Sequence, residues 1–297
     1  MENSPLVCDY GSGFSKVGYA GMDAPQTVFP TVLGKLRHDR MLVGMEEKDW
    51  FIGAEVQSNR EKLNLQYPIS RSKITNWEDM EKIWHHAFYQ VLRVAPEQHP
   101  LLVTEPPLTA TSSKERVSQV MFETFNVPAL YLANQGVLSL YSSGRTSGTA
   151  IESGEGATYF VPVIEGCPLH QSILQMDVAG QDLTLYLLQL LAESGHSFTT
   201  VGDWEHVRYL KETCCHVALD YHKEKEEAEA PSYEQRFQLP DGQEVTLGKE
   251  RFLCPEALFQ TELLGKSSGR EHLATGRMPA GHRRLGGREA SGRFHLS

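Results

Sequence analysis

Apolar positions near the start of the chain fall in two short runs that flank a pair of glycines. Residues 6–8 read Leu-Val-Cys, and residues 14–19 read Phe-Ser-Lys-Val-Gly-Tyr. Between the runs, Gly11 and Gly13 bracket Ser12. Apolar runs separated by glycines in this way predict a strand, a tight turn and a second strand.

A second stretch repeats this arrangement near the middle of the chain. The sequence Glu-Ser-Gly-Glu-Gly runs from Glu152 to Gly156, between apolar runs at 149–151 and 157–161. Two acid-led glycine hairpins indicate an internally duplicated α/β protein whose halves hold a nucleotide phosphate between them. Because the pattern is degenerate, a chance pair of unrelated hairpins stays open as the alternative.

Apolar periodicity places helices and further strands around the hairpins. Spacings of three and four predict helices, and unbroken apolar runs predict buried strands. The predicted helices are 76–92, 113–125, 135–143, 180–194 and 203–219, the predicted strands are 101–103 and 129–132, and residues 237–247 are predicted to form another hairpin.

The first hairpin carries groups suited to phosphate and metal. Glycines at a turn let backbone amides point into one concavity, here at Gly11, Ser12 and Gly13. Asp9 precedes the turn and is placed to reach a metal ion through water, while Lys16 can reach a β- or γ-phosphate. The spacing alone also fits a purely structural hairpin.

Composition indicates a globular protein and argues against nucleic-acid-binding, secreted and membrane-spanning classes. The 297 residues are 40% hydrophobic and 22% charged, which is ordinary for a globular chain long enough for two lobes. A formal net charge of −10 argues against a general nucleic-acid surface. Five scattered cysteines fit a reducing compartment, and neither a signal region nor a membrane-spanning apolar run is evident. We therefore expect a cytoplasmic or nuclear protein with no membrane partner and no specific nucleic-acid partner.

Nine further segments resemble actin, in the same order and with almost no insertions. They are residues 23–25 (Asp-Ala-Pro), 43–45 (Val-Gly-Met), 75–77 (Thr-Asn-Trp), 79–86, 92–97, 121–126, 136–141, 143–146 and 254–260. The chain is therefore similar to an actin-like protein from about residue 6 to about residue 265, with a divergent, truncated carboxyl end.

The resemblance implies a two-lobed α/β fold of the actin, Hsp70 and sugar-kinase type, with a mixed sheet in each lobe and the second lobe incomplete. The implied domains are a first lobe at 1–142 with a small subdomain inserted at about 31–67, a partial second lobe at 143–265, and a divergent, disordered tail at 266–297. The loop at 41–45 would contact a neighbouring filament subunit, or would simply cover a small sheet.

The resemblance also implies binding of ATP or ADP with Mg²⁺, with Asp9 reaching the metal through water. Gln135 would position the attacking water, and Lys211 and Glu212 would contact the adenine and ribose unless they only form a surface ion pair. The nucleotide site would be completed by Lys16, by the first turn, and by three residues of the second turn: Gly154, Glu155 and Gly156.

Several positions depart from the actin pattern. Tyr10 replaces a small amide in the first phosphate loop, and Arg71 replaces a histidine beside the cleft. Glu152 and Glu155 replace aspartates, and each added methylene shifts a water-mediated magnesium contact. Tyr159 stands at a degraded catalytic position where actin has a histidine, and a phenol with a pKa of about 10 is a poor base at neutral pH.

Two functions follow from this pattern. The first is an actin-like cytoskeletal or structural protein with a degraded ATP-binding cleft, weak nucleotide binding and no efficient ATPase activity. Such a protein would act through contacts with actin or actin-binding proteins, and we expect it not to polymerise alone because part of the second lobe is missing. The alternative is a nucleotide-cycling actin-type ATPase that forms filaments.

Overall fold

The computed structural model describes residues 4–36, 50–196, 198, 203–239 and 242–265. The loop at 41–45 and the tail at 266–297 lie outside the described residues. The chain divides into two compact units, the first ending at Asp177 and the second beginning at Val178. Both hairpins lie in the first unit, and the domain bounds 1–142, 143–265 and 266–297 stay predictions.

The strands are short, as expected for runs punctuated by glycine and polar turns. They are β1 (Leu6–Tyr10), β2 (Phe14–Tyr19), β3 (Thr27–Pro30), β4 (Leu33–Leu36), β5 (Phe51–Ile52), β6 (Leu63–Gln66), β7 (Ile69–Ser70), β8 (Lys73–Ile74), β9 (Leu101–Glu105), β10 (Leu130–Asn134), β11 (Gly148–Ser153), β12 (Thr158–Ile164), β13 (Cys167–Pro168), β14 (Leu174–Met176), β15 (Gln235–Gln238) and β16 (Glu244–Leu247).

Within the residues that the structure describes, eight α-helices join these strands. They are α1 (Ala54–Asn59), α2 (Trp77–His85), α3 (Thr111–Glu123), α4 (Gln135–Ser142), α5 (Gly180–Glu193), α6 (Asp203–Cys214), α7 (Tyr221–Glu227) and α8 (Glu250–Glu256). Among these described helices, none is long and apolar enough to cross a membrane.

The first hairpin sits on a five-stranded mixed sheet in the order β10-β9-β1-β2-β3. Strand β1 is central, parallel to β9 and antiparallel to β2. Its alternate side chains Leu6, Cys8 and Tyr10 are buried, and they share one core with Trp84 and Phe88. This core holds the turn that follows β1 at the carboxyl edge of the parallel strands.

The second hairpin belongs to another sheet of the same unit. Strand β12 pairs with β11, β13 and β14, and all three pairings are antiparallel. The prediction of a mixed sheet in this part of the chain is therefore wrong for the strands described. A smaller sheet, β5-β4-β6, lies where the inserted subdomain is predicted.

The helix predicted over 76–92 is present, but its second half is π-helical over His86–Leu92. The Asn76 side chain caps its start by accepting a hydrogen bond from the Asp79 amide at 3.0 Å. Arg93, in the left-handed conformation with φ 55°, ends it.

In the second unit, α5 buries the leucines that its period predicts, with Leu187 and Leu191 fully buried. Helix α6 is shorter than the predicted 203–219 and ends at Cys214. The Arg251 guanidinium Nε donates to the Cys214 carbonyl at 3.2 Å, and the His216 amide donates to the Arg251 carbonyl at 3.0 Å. These long-range bonds satisfy groups at the helix end and turn the chain toward α8.

Candidate functional site

The two predicted hairpins close with the same hydrogen bond. In the first, the Gly11 amide donates to the Phe14 carbonyl at 3.0 Å, and in the second the Gly154 amide donates to the Ala157 carbonyl at 3.2 Å. Each bond leaves two residues at the tip of the turn. The two turns inferred from the glycine spacing therefore share one backbone hydrogen-bond pattern.

Backbone amides at the two tips remain available for a ligand. Within the described part of the chain, the amides of Ser12, Gly13 and Gly156 donate no hydrogen bond. Successive unpaired amides at a turn form a concavity that attracts anions. Three of the predicted phosphate-binding residues thus present donors.

The tips of the two turns touch each other. A Cβ atom added at Gly156 would lie 2.5 Å from Ser12 Oγ and 2.8 Å from the Ser72 amide nitrogen, closer than real Cβ contacts. A Cβ added at Gly154 would meet nothing within 4 Å. Only glycine therefore fits at position 156, and the structure brings the two predicted phosphate turns together.

Asp9 and Lys16 occupy opposing positions on β1 and β2. Their side chains share one face of the hairpin, with Lys16 Nζ 3.5 Å from Asp9 Oδ2. The Thr104 hydroxyl donates to Asp9 Oδ1. The acid assigned to the metal and the lysine assigned to phosphate are thus neighbours.

Gln135 begins α4 and reaches the same carboxylate. Its amide Nε2 lies 3.2 Å from Asp9 Oδ1 and 3.3 Å from Thr104 Oγ1. The Asn134 side chain caps the helix by accepting a hydrogen bond from the Val137 amide at 3.4 Å. This cap fixes the first turn of α4 beside the hairpin.

Glu152 lies opposite Tyr159 across β11 and β12. Its carboxylate accepts a hydrogen bond from the Ser139 hydroxyl. Burial raises the pKa of Glu152, and the Asp9 charge raises it further, while the Ser139 bond and the Lys16 charge lower it. Glu152 therefore lies within electrostatic reach of the first hairpin.

The Tyr159 side chain is buried beneath the second turn. Burial raises the pKa of Tyr159 above its ordinary value, and the charge of Asp177 adds to the increase, although the nearby Ser72 side chain opposes it. At neutral pH the phenol is therefore ionised even less than that of an exposed tyrosine, so less phenolate is available to accept a proton.

Tyr10, which replaces a small amide in the first phosphate loop, does not enter the phosphate turn. Its side chain lies in the core, 6.4 Å from the Trp84 ring in an edge-to-face contact. Burial raises the pKa of Tyr10 well above its ordinary value. The departure at this position therefore changes the core packing and leaves the turn itself open.

Lys211 and Glu212 lie on α6 in the second unit. Lys211 Nζ donates to the Gly180 carbonyl at 2.9 Å, and Glu212 pairs with Arg208 Nε at 3.0 Å. Glu212 thus forms a surface ion pair with Arg208, whereas the alternative left open by the sequence was an ion pair of Lys211 and Glu212. Contacts of these two residues with adenine and ribose stay predictions, as does the role of Glu155.

Three residues around the hairpins escaped the sequence analysis. Thr104 is the penultimate residue of β9, a parallel strand beside β1. The carboxyl edge of such strands is a usual ligand position, so this signal was available. Ser139 lies one helical turn after Gln135 on α4. Nothing in the sequence distinguished Ser72, which reaches the hairpins only through the tertiary fold.

A family model described as Actin matches residues 1–283. The match includes both hairpins, the Gln135 helix and α6, and it also extends into the segment assigned to the divergent tail. It covers nearly the whole chain, and the mixed α/β architecture with paired glycine hairpins agrees with it. The chain therefore belongs to the actin family.

Proposed function

We propose that this protein is a structural member of the actin family that binds ATP or ADP with Mg²⁺ at its two hairpins, hydrolyses ATP slowly and acts through protein–protein contacts. The observation that carries the proposal is the meeting of two turns at which, within the described residues, the amides of Ser12, Gly13 and Gly156 donate no hydrogen bond. Paired turns of this kind present donors to a phosphate group from two sides.

The residues present fit a nucleotide phosphate with its magnesium ion. Ser12, Gly13 and Gly156 would bind phosphate oxygens through their amides, and Lys16 would add a positive charge. Asp9 would hold the metal ion through water, because Mg²⁺ keeps several waters and uses one or two carboxylates beside the phosphates.

Bound Mg²⁺ would neutralise charge that develops on the transferred phosphoryl group. The residues of this chain must position a water molecule and accept its proton. They are better suited to the first role than to the second. Gln135 is oriented by Asp9 and Thr104, so water positioning is retained. The Tyr159 side chain is buried and its pKa is raised, so the phenol stays protonated and is poorly suited to accept a proton at neutral pH.

Glu152 supports the same conclusion. Its carboxyl is bonded to Ser139, and its raised pKa reflects a site where burial opposes the charged form. A carboxylate whose charged form is destabilised by burial is a weaker partner for metal-bound water. We therefore infer that binding is retained better than hydrolysis.

The alternative, an ATPase that cycles nucleotide and forms filaments, draws support from one observation. Gln135, Asp9 and Lys16 form a connected polar group of the kind that hydrolysis needs. In that case Tyr159 would not limit the rate, and the protein would turn over ATP as fast as an intact actin.

Isothermal calorimetry with Mg–ATP tests whether the protein binds nucleotide. We expect saturable one-site binding that weakens when Lys16→Met removes the ammonium group. Lys73→Met, on the nearby strand β8, serves as the matched control and should leave the affinity unchanged. Failure of the wild-type protein to bind Mg–ATP, in a preparation that melts cooperatively, would refute the nucleotide-binding part of the proposal.

Family membership also supports the partner and location. We propose that the protein binds actin or actin-binding proteins in the cytoplasm, at the cytoskeleton. Co-sedimentation with preformed actin filaments tests this, with the protein alone as the control for self-assembly. Absence from the pellet at saturating filament concentration would contradict binding to filaments.

A further inference from the structure

A groove in the second unit lies between α7 and residues 215–220, the segment that joins α6 to α7. Its volume is about 310 Å³, and His216, Val217 and Leu219 line it on the side of the joining segment. Leu219 is fully exposed, and Val217 is 39% exposed. Covering these two side chains would remove apolar surface from water, which is favourable.

The side of the groove formed by α7 is acidic. Asp220, Glu224 and Glu227 line it, and Lys223 is the one lysine or arginine among the described lining residues. Lys223 Nζ lies 3.7 Å from Glu227 Oε1, and both side chains are exposed, so this pair neutralises Glu227 only weakly. The groove therefore carries net negative charge and favours a cationic ligand.

Hydrogen bonds fix the acidic side of the groove relative to its apolar side. Glu224 Oε1 accepts the Tyr233 hydroxyl proton at 2.6 Å and lies 2.5 Å from His216 Nε2. Although burial raises the pKa of Glu224, the bonds from Tyr233 and His216 outweigh it and leave the pKa below its ordinary value. Asp220 caps α7 by accepting a hydrogen bond from the Lys223 amide at 3.1 Å.

The chain after Gly265 has the opposite charge. Residues 266–297, which lie outside the described residues, contain seven Lys or Arg and two Glu. Residues 283–285 read Arg-Arg-Leu, two cations followed directly by an apolar side chain. Guanidinium groups pair with carboxylates through a planar fork of donors. This order of residues matches a groove with carboxylates on one side and a leucine on the other.

The tether to this segment is long enough to reach the groove. Arg283 follows Gly265 by eighteen residues, which span up to about 60 Å when extended. Gly265 and the groove belong to the same unit, and a unit of this size has a radius of gyration of about 12 Å. A flexible tether gives an effective concentration of about millimolar. An interaction too weak to join separate molecules can therefore be populated within one chain.

We propose that segment 283–285 docks in the groove of its own chain. Its two guanidinium groups pair with Asp220 and Glu227, and its leucine covers Leu219. The docked segment excludes other basic ligands from this face of the second unit. The proposal goes beyond the proposed function, because it does not depend on nucleotide.

Limited digestion of the full chain with trypsin tests the docking. Arg284 precedes an apolar residue, as Arg277 and Arg293 do, so the three sites are comparable substrates. We expect cleavage after Arg284 to be about fivefold slower than after the other two, because two exposed ion pairs and a partly buried leucine hold it. In about 1 M NaCl the difference should shrink, since salt screens exposed charges.

Two substitutions on α7 locate the docking site. Glu227→Lys reverses a charge that lines the groove, and Glu226→Lys, the matched control, reverses one on the same helix outside the lining. Only Glu227→Lys should raise cleavage after Arg284 to the rate at Arg277. Equal cleavage at all the sites in the wild type, or an equal effect of the two variants, would overturn the proposal.

Hydrogen exchange of segment 215–220 in the full chain gives a second readout. Arg283→Gln combined with Arg284→Gln should speed exchange there about fivefold. Arg288→Gln combined with Arg293→Gln removes the same charge elsewhere in residues 266–297 and should have no effect. Unchanged exchange in the first double variant would contradict the docking. Slow cleavage after Arg284 that depends on protein concentration would place a second copy's segment in the groove and overturn docking within one chain.

Discussion

Glu152 and Tyr159 lie directly opposite one another on the paired strands β11 and β12. Asp9 and Lys16 have the same relationship in the first hairpin, where they form an ion pair at 3.5 Å. The two hairpins thus repeat the register but differ in chemistry. Lys16 neutralises Asp9 in the first hairpin, whereas a phenol lies opposite Glu152 in the second. The charged form of Glu152 is therefore less stabilised than that of Asp9.

The Asp9 carboxylate joins the first hairpin to Gln135 and to the predicted metal ion. Asp9→Asn keeps the shape of the side chain but removes its charge. We expect Mg–ATP affinity to fall about tenfold or more, since hydrogen bonds and contacts to charged groups contribute about 1.5–3 kcal/mol. Calorimetric titration checks this, with the exposed Asp23→Asn as control. Equal affinities for the two variants would show that Asp9 has no part in binding.

The two glycines of the second turn should respond differently to alanine. At Gly156 the added methyl would meet Ser12 Oγ at 2.5 Å, and at Gly154 it would meet open space. Gly156→Ala should lower the free energy of unfolding by about 1–3 kcal/mol through overpacking, whereas Gly154→Ala should change it by less than about 0.5 kcal/mol. Urea denaturation measures both. A matching loss of stability in the two variants would mean that the turns do not touch as described.

Glu152 should make stability depend on pH. Because its pKa is raised in the folded protein, the folded state keeps the proton to a higher pH than the unfolded state does. Stability is therefore lost as pH rises from the ordinary value of 4.5 through the raised folded pKa. Glu152→Gln lacks this titration and can still accept the Ser139 bond.

We therefore expect the melting temperature of Glu152→Gln to rise relative to that of the wild type as the pH increases from 4 to 7. Glu155→Gln, in the same turn, is the matched control for loss of one charge. A difference between Glu152→Gln and wild type that stays constant over this range would contradict the assigned environment of Glu152.

Patterns of neighbouring residues in the sequence predicted the main secondary structure elements around the site. Glycine spacing predicted both hairpins, and leucine periodicity predicted α5 almost to the residue. The inward position of Tyr10 was also predictable, because it follows Leu6 and Cys8 at intervals of two along a strand, and such residues share a face. The sequence analysis treated Tyr10 as a departure within the phosphate loop, whereas the alternation places its side chain in the core.

Long-range contacts explain what local rules missed. Helix α6 ends early because Arg251, far along the chain, bonds to the Cys214 carbonyl. Thr104 and Ser139 reach the two acids only when β9 and α4 are in place. The contacts of Ser72 depend on a turn with a left-handed backbone, and a serine at this position does not suggest such a turn.

A single-turnover phosphate-release assay tests the central claim, that this protein binds Mg–ATP but hydrolyses it slowly. With protein in excess over Mg–ATP, the wild type should release phosphate more slowly than an intact actin assayed beside it. Tyr159→His should raise the rate about tenfold or more, since a positioned imidazole can accept the proton at neutral pH. The exposed Tyr131→His should leave the rate unchanged. A wild-type rate equal to that of intact actin, abolished by Asp9→Ala, would contradict the account and establish a nucleotide-cycling ATPase.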